Sequence, residues 1–69
     1  MLRVSITLAR HDPEIYADIK QIIGHRTYIQ GTDPRLYVDF SRREDAHLAL
    51  VNLNQVIGVK ARIENDHAN

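Results

Sequence analysis

Leu2, Val4, Ile6 and Leu8 alternate with Arg3, Ser5 and Thr7 at the start of the chain. A period of two predicts a strand with one apolar and one polar face. The period then changes. Ile15, Ile19, Ile22 and Ile23 fall at i, i+4, i+7 and i+8, one face of a helix. The flanks agree. Asp12 suits the N-cap, Pro13 the first helical position and Glu14 the positive end of the helix dipole, so the helix should span Pro13 to Ile23. Gly24 stands where a left-handed C-cap is expected. His25 to Gln30 reads as a short second strand, and Gly31-Thr32-Asp33-Pro34 as turn chemistry. Leu36, Val38 and Phe40, alternating with Arg35, Tyr37 and Asp39, predict a third strand. Ser41 followed by Glu44 has capping-box spacing and predicts the start of a second helix. Its stripe is Ala46, Ala49, Leu50 and Leu53, and it should end at Asn54-Gln55. After Gly58, Val59, Ala61 and Ile63 alternate with Lys60, Arg62 and Glu64 and predict a fourth strand.

The order β-α-β-β-α-β is that of the α+β, ferredoxin-like split βαβ fold. Right-handed crossovers place both helices on one face of a four-stranded antiparallel sheet, with strand order 4-1-3-2. An alternative is open at the end of the chain. Val56, Ile57, Val59 and Ile63 could instead extend the second helix, although Gly58 inside a helix costs about 1 kcal/mol relative to Ala. The sequence thus predicts one domain over residues 1–64 and a polar tail, Asn65 to Asn69, expected to be mobile.

The bare sheet face is where function is expected. By alternation it carries Arg3, Ser5, Thr7, Arg35, Tyr37, Asp39, Lys60, Arg62 and Glu64, with Arg26, Tyr28 and Gln30 from the second strand. Tyr and Arg side chains stack on bases and meet phosphates. They are also enriched in protein interfaces. Cross-strand ion pairing of Asp39 or Glu64 with a neighbouring Arg is the plain structural alternative. The candidate binding residues are Arg3, Tyr28, Arg35, Tyr37 and Arg62.

Composition narrows the choice. With 43% hydrophobic residues, a chain of 69 residues can form one small core near the lower size limit, so dimerisation through a sheet edge or face is a reasonable expectation. Nine basic and nine acidic residues balance, which argues against a strong non-specific phosphate binder. The chain has no cysteine, which excludes disulfides, thiolate zinc sites and cysteine nucleophiles. No signal peptide or membrane-spanning stretch is evident, so a cytoplasmic protein without membrane partners is expected.

Val38-Asp39-Phe40 and the run Asp45-Ala46, Ala49-Leu50, Leu53-Asn54 resemble the second half of an RNA-recognition motif. The resemblance implies single-stranded RNA as a partner and Tyr37 as a stacking residue. Arg35 stands where that family has a second exposed aromatic, Arg3 and Ser5 where it has a first-strand aromatic, and Asp33-Pro34 where it has a basic residue and glycine. Leu53 to Ile63 is similar to the helix-Gly-Val-strand ending of ACT-like domains, which implies a dimer that binds small effectors or peptides. Asp12-Pro13 is loosely like the Asp-x-Pro-Gly effector turn but lacks its glycine. With a helical ending, the element order resembles the small dimerising subunit of the KEOPS tRNA-modifying complex.

Catalytic signatures are missing from the sequence. His11, His25, His47 and His67 form no ligand-spaced pair, and no phosphate loop or nucleophile elbow occurs. His11-Asp12 could orient an imidazole, but a helix-entry residue beside an N-cap explains it as well. The sequence therefore predicts a non-catalytic interaction module, without metal or cofactor. It would be self-associating or part of an assembly and use its open sheet or edge, with RNA binding or small-molecule sensing as the alternatives.

Overall fold

A computed structural model of the chain describes residues 1–64. The elements are β1 (Leu2–Leu8), α1 (Pro13–Ile23), β2 (Gln30–Thr32), β3 (Arg35–Phe40), α2 (Arg43–Leu53) and β4 (Val59–Ile63). They form a ferredoxin-like βαββαβ fold with one antiparallel sheet in the order β2-β3-β1-β4. The predicted tail, Asn65 to Asn69, lies outside the described residues. Among the described residues no helix is long and apolar enough to cross a membrane.

The core lies between the sheet and the two helices. The inward positions of the sheet supply Val4, Ile6, Leu8, Leu36, Val38 and Val59. The helices supply Ile15, Ile19, Ile23, Ala46, Ala49 and Leu53. Burying one such large aliphatic side chain contributes about 1.5–3 kcal/mol. Ile22 and Leu50, read from the sequence as stripe residues, pack at the margin and stay partly exposed. Helix α1 starts as its sequence dictates. Asp12 is extended and its Oδ1 accepts from the Glu14 amide at 2.9 Å, with Pro13 in the first turn.

Three local expectations are corrected. First, β2 covers Gln30–Thr32, not His25–Gln30, and Gly31-Thr32 belongs to it rather than to the turn. The register explains why. Thr32 faces Arg35, so the hairpin loop is only Asp33-Pro34, joined by a cis peptide bond. His25 to Thr27 are spent closing the end of α1. The Thr27 amide donates to the Gly24 carbonyl at 3.1 Å, and Thr27 Oγ1 donates to the Ile23 carbonyl at 2.8 Å. Gly31 must remain glycine, because its φ is +87° and a Cβ there would lie 2.7 Å from the Arg35 carbonyl oxygen.

Second, Gly24 has positive φ, but its ψ of 136° is extended and not left-handed helical. The chain leaves α1 toward the Thr27 turn instead of continuing the helical coil. Third, the Ser41–Glu44 capping box does not form. The N-cap is Arg42, its side chain makes no cap hydrogen bond, and the Ala46 amide closes the first turn on the Arg42 carbonyl at 3.1 Å. Ala46, Ala49 and Leu53 face the core from α2, as the stripe predicts. Glu44 then lies 3.6 Å from the Arg42 guanidinium. The fourth strand forms as expected, and the alternative of a long C-terminal helix is excluded, because residues 59–63 pair with β1, from Leu8↔Val59 to Val4↔Ile63. The element order that resembled the KEOPS subunit falls with it.

Candidate functional site on the open sheet face

The open face is set by alternation from β1 and by two registers. One row runs Gln30, Tyr37, Ser5, Arg62 across the four strands. The next runs Thr32, Arg35, Thr7, Lys60. Beyond the first row, Arg3 faces Asp39, and the Glu64 amide donates to the Arg3 carbonyl at 2.9 Å. This face divides into two halves of different chemistry.

In the first half the charges satisfy one another. Arg3 Nε donates to Asp39 Oδ1 at 2.9 Å, and Arg3 Nη2 to Asp39 Oδ2 at 3.3 Å. This is the two-pronged match of guanidinium and carboxylate. Gln30 Nε2 donates to Asp39 Oδ2 at 2.9 Å, and its Oε1 accepts from Arg3 Nη2 at 3.3 Å. The Arg3 guanidinium also lies 5.5 Å from the centre of the Tyr37 ring, within cation–π range. The Arg3 hydrogen bond holds the Asp39 carboxyl below its usual range, and burial opposes it more weakly. The same hydrogen bond raises the Arg3 guanidinium above its ordinary value.

In the second half the cations lack such partners. Arg35 and Lys60 flank Thr7 on neighbouring strands, so their backbones stand about 10 Å apart. Neither forms an ion pair among the described residues. Arg62 meets only Glu64 among them, at 3.8 Å with the arginine side chain 76% exposed. A shallow groove of about 470 Å³ joins Arg35, Lys60 and Arg62 to Ser5, Thr7 and Asn54, and no carboxylate of the described residues lines it. The groove can hold an anionic group between the cations, with hydroxyls beneath.

The predicted site residues separate accordingly. Arg35 and Arg62 line the groove. Arg3 and Tyr37 are on the face but held against each other. Tyr28 is not on the sheet: it stands 77% exposed in the connection between α1 and β2, with Arg26 exposed in the same connection. The cause is the early turn at Gly24–Thr27, which displaces β2 along the chain. Among the described residues the face therefore has one aromatic, and the Arg3 guanidinium lies over one face of its ring.

Sequence reasoning missed two placements. Asn54 follows α2 and reaches the outer edge of β4. Its Nδ2 donates to the Ala61 carbonyl at 3.0 Å, and its Oδ1 accepts from the Ala61 amide at 2.8 Å. The Val59 amide is taken by the Val56 carbonyl at 3.1 Å. The β4 edge is thus closed to another strand at Ala61 and at the Val59 amide, as edge strands need to be. His11 contacts Asp33, not its neighbour Asp12. Asp12 is occupied by the helix cap, and its other oxygen lies 3.5 Å from Arg10. His25 and His47 are exposed and His67 is outside the described residues. Among the described residues no group of three or more His, Asp or Glu side chains is placed to hold a metal.

Comparison with protein-family models, curated proteins and solved structures finds no match for the chain.

Proposed function

We propose that the chain is a non-catalytic protein-interaction module that binds an acidic segment of a partner in the groove formed by Arg35, Lys60 and Arg62. The observation that carries this reading is the contrast between the two halves of the face. Arg3 is neutralised by Asp39, whereas the groove cations face solvent with no carboxylate of the described residues lining the groove. Electrostatic complementarity of this kind supplies specificity and association rate more than raw affinity. The zero net charge of the chain favours a local anionic contact over wrapping a polyanion. RNA recognition is less well supported, because base stacking needs open aromatic faces. Tyr28 is off the sheet, and Arg3 lies over one face of the Tyr37 ring.

Titration of the chain with a glutamate-rich peptide and with single-stranded oligouridine, followed by amide chemical shifts, tests the proposal. The peptide should move the resonances of Thr7, Lys60 and Arg62. Lys60→Glu should weaken it about fivefold or more, and added salt should weaken it further. Tighter binding of oligouridine than of the peptide would transfer the groove to nucleic acid, and binding of neither would reject it as an anion site.

A second reading, self-association, is favoured by a different surface from the one expected. Leu48 and Val51 lie one turn apart on α2 and are 64% and 56% exposed. Two copies joined there would leave the sheet face free. A monomer by light scattering at millimolar protein removes this reading.

A further inference from the structure

A cavity of about 370 Å³ lies between the start of α1 and the β2–β3 hairpin. Leu8, Ile29 and Leu36 contribute its apolar lining, and Tyr16, His11, Asp12, Thr32 and Asp33 add polar groups, with Asp12 already engaged by the Glu14 amide and Arg10. It exists because of how the first turn of α1 is spent. Ile15 points toward Gly58, with Cδ1 only 3.2 Å from where a Cβ on Gly58 would stand. Pro13 and Tyr16 are then the α1 residues that line this cavity, and Tyr16 at 43% exposure does not fill it. The three-residue β2 provides little cover from the other side.

The polar groups are arranged for one kind of contact. His11 Nδ1 is engaged by the Asp33 carboxylate, which can only accept when ionised. The neutral imidazole therefore keeps its proton on Nδ1 and leaves Nε2 as an acceptor. An apolar lining, a tyrosine ring and an imidazole acceptor at the rim are complementary to a small planar molecule with a hydrogen-bond donor. The volume is at the lower end of the range for ligand pockets, about 300–1,000 Å³.

We propose that this cavity is a binding site for a small aromatic molecule bearing one hydroxyl or ring N–H donor, with the ring against Leu8, Leu36 and Tyr16 and the donor on His11 Nε2. The site is separate from the cationic groove and does not depend on the reading of that groove.

Phenol and toluene are the probes, titrated separately into the chain and followed by amide chemical shifts. Phenol should saturate, with shifts concentrated at Leu8, Ile29, Thr32 and Leu36. Toluene should bind roughly two- to tenfold more weakly, the value of one hydrogen bond. His11→Phe keeps an aromatic ring but removes the acceptor, and it should bring the two affinities together. Asp33→Ala frees the imidazole and should narrow the gap between the probes without removing it. Absence of a saturable shift at these residues, equal binding of phenol and toluene, or an unchanged preference in His11→Phe would each overturn the proposal. Because His11 is 86% exposed at its side chain, its replacement leaves the core intact, and a circular dichroism spectrum checks this.

Discussion

Removing the Asn54 side chain is the most direct probe of how this small sheet is finished. In Asn54→Ala two hydrogen bonds, of 3.0 and 2.8 Å, are lost from the Ala61 backbone. A net hydrogen bond contributes about 0.5–1.5 kcal/mol, and both sit at an exposed edge where water can replace the amide. The low end applies, so the pair should contribute about 1 kcal/mol in total. That is appreciable for a domain of this size, whose total stability should be on the order of 3–10 kcal/mol. The corresponding fall in melting temperature is about 4–8 °C. Asn54→Asp is the informative partner. A carboxylate still accepts from the Ala61 amide but places lone pairs against the Ala61 carbonyl, so it should cost at least as much as alanine at neutral pH. Urea titrations monitored by circular dichroism measure both variants, with an unchanged denaturant slope showing that the native state keeps its compactness. The freed N–H and C=O of Ala61 should also promote strand pairing between copies, visible as concentration-dependent mass in light scattering. An Asn54→Ala protein as stable as the parent to within about 0.3 kcal/mol would show that the bidentate contact contributes nothing, and the reasoning would fail.

Two further outcomes follow from local physics. Arg42 occupies an extended N-cap position without a cap hydrogen bond, so Arg42→Ser should stabilise the chain by about 0.5–1 kcal/mol in urea, after the loss of the weak, exposed contact to Glu44. Asp39 has a native pKa below its unfolded value, so its ionisation stabilises the fold above the unfolded pKa, about 4, and that stabilisation fades as pH falls through the lower native value. Asp39→Asn should therefore be least stable relative to the parent at neutral pH, and the gap should close in acid. A gap that stays constant with pH in denaturant titrations would contradict the Arg3–Asp39 assignment.

The elements whose cause is local were legible in the order of residues alone. The period of two in Leu2–Leu8 and Arg35–Phe40, and the 3.6 period of the isoleucines after Asp12-Pro13, depend only on which side chains must leave water. The bounds of α1 follow from its cap and its glycine, and the sheet order from the handedness of the crossovers. The second strand was misread because its length depends on pairing. Gln30–Thr32 are a strand only since Arg35 to Tyr37 lie beside them, and the β propensity of Thr27 to Ile29 yields to the turn that closes α1. Ser41 and Glu44 have the spacing of a capping box, but α2 starts one residue later, with Arg42 at the N-cap.

The candidate sites divide along the same line. Which strand residues face the open side was a matter of alternation, and Arg35, Lys60 and Arg62 were readable there. Which of the cations on that side is neutralised was not. Arg3 and Asp39 are 36 residues apart, His11 and Asp33 are 22 apart, and neither pairing leaves a trace in local periodicity. The sequence by itself determined the layers, the order of the strands and the polar face, because hydrophobic patterning acts through near neighbours. Only the tertiary structure decided which charges are neutralised, which edge is closed and where a cavity remains, because those depend on contacts that packing creates between distant parts of the chain.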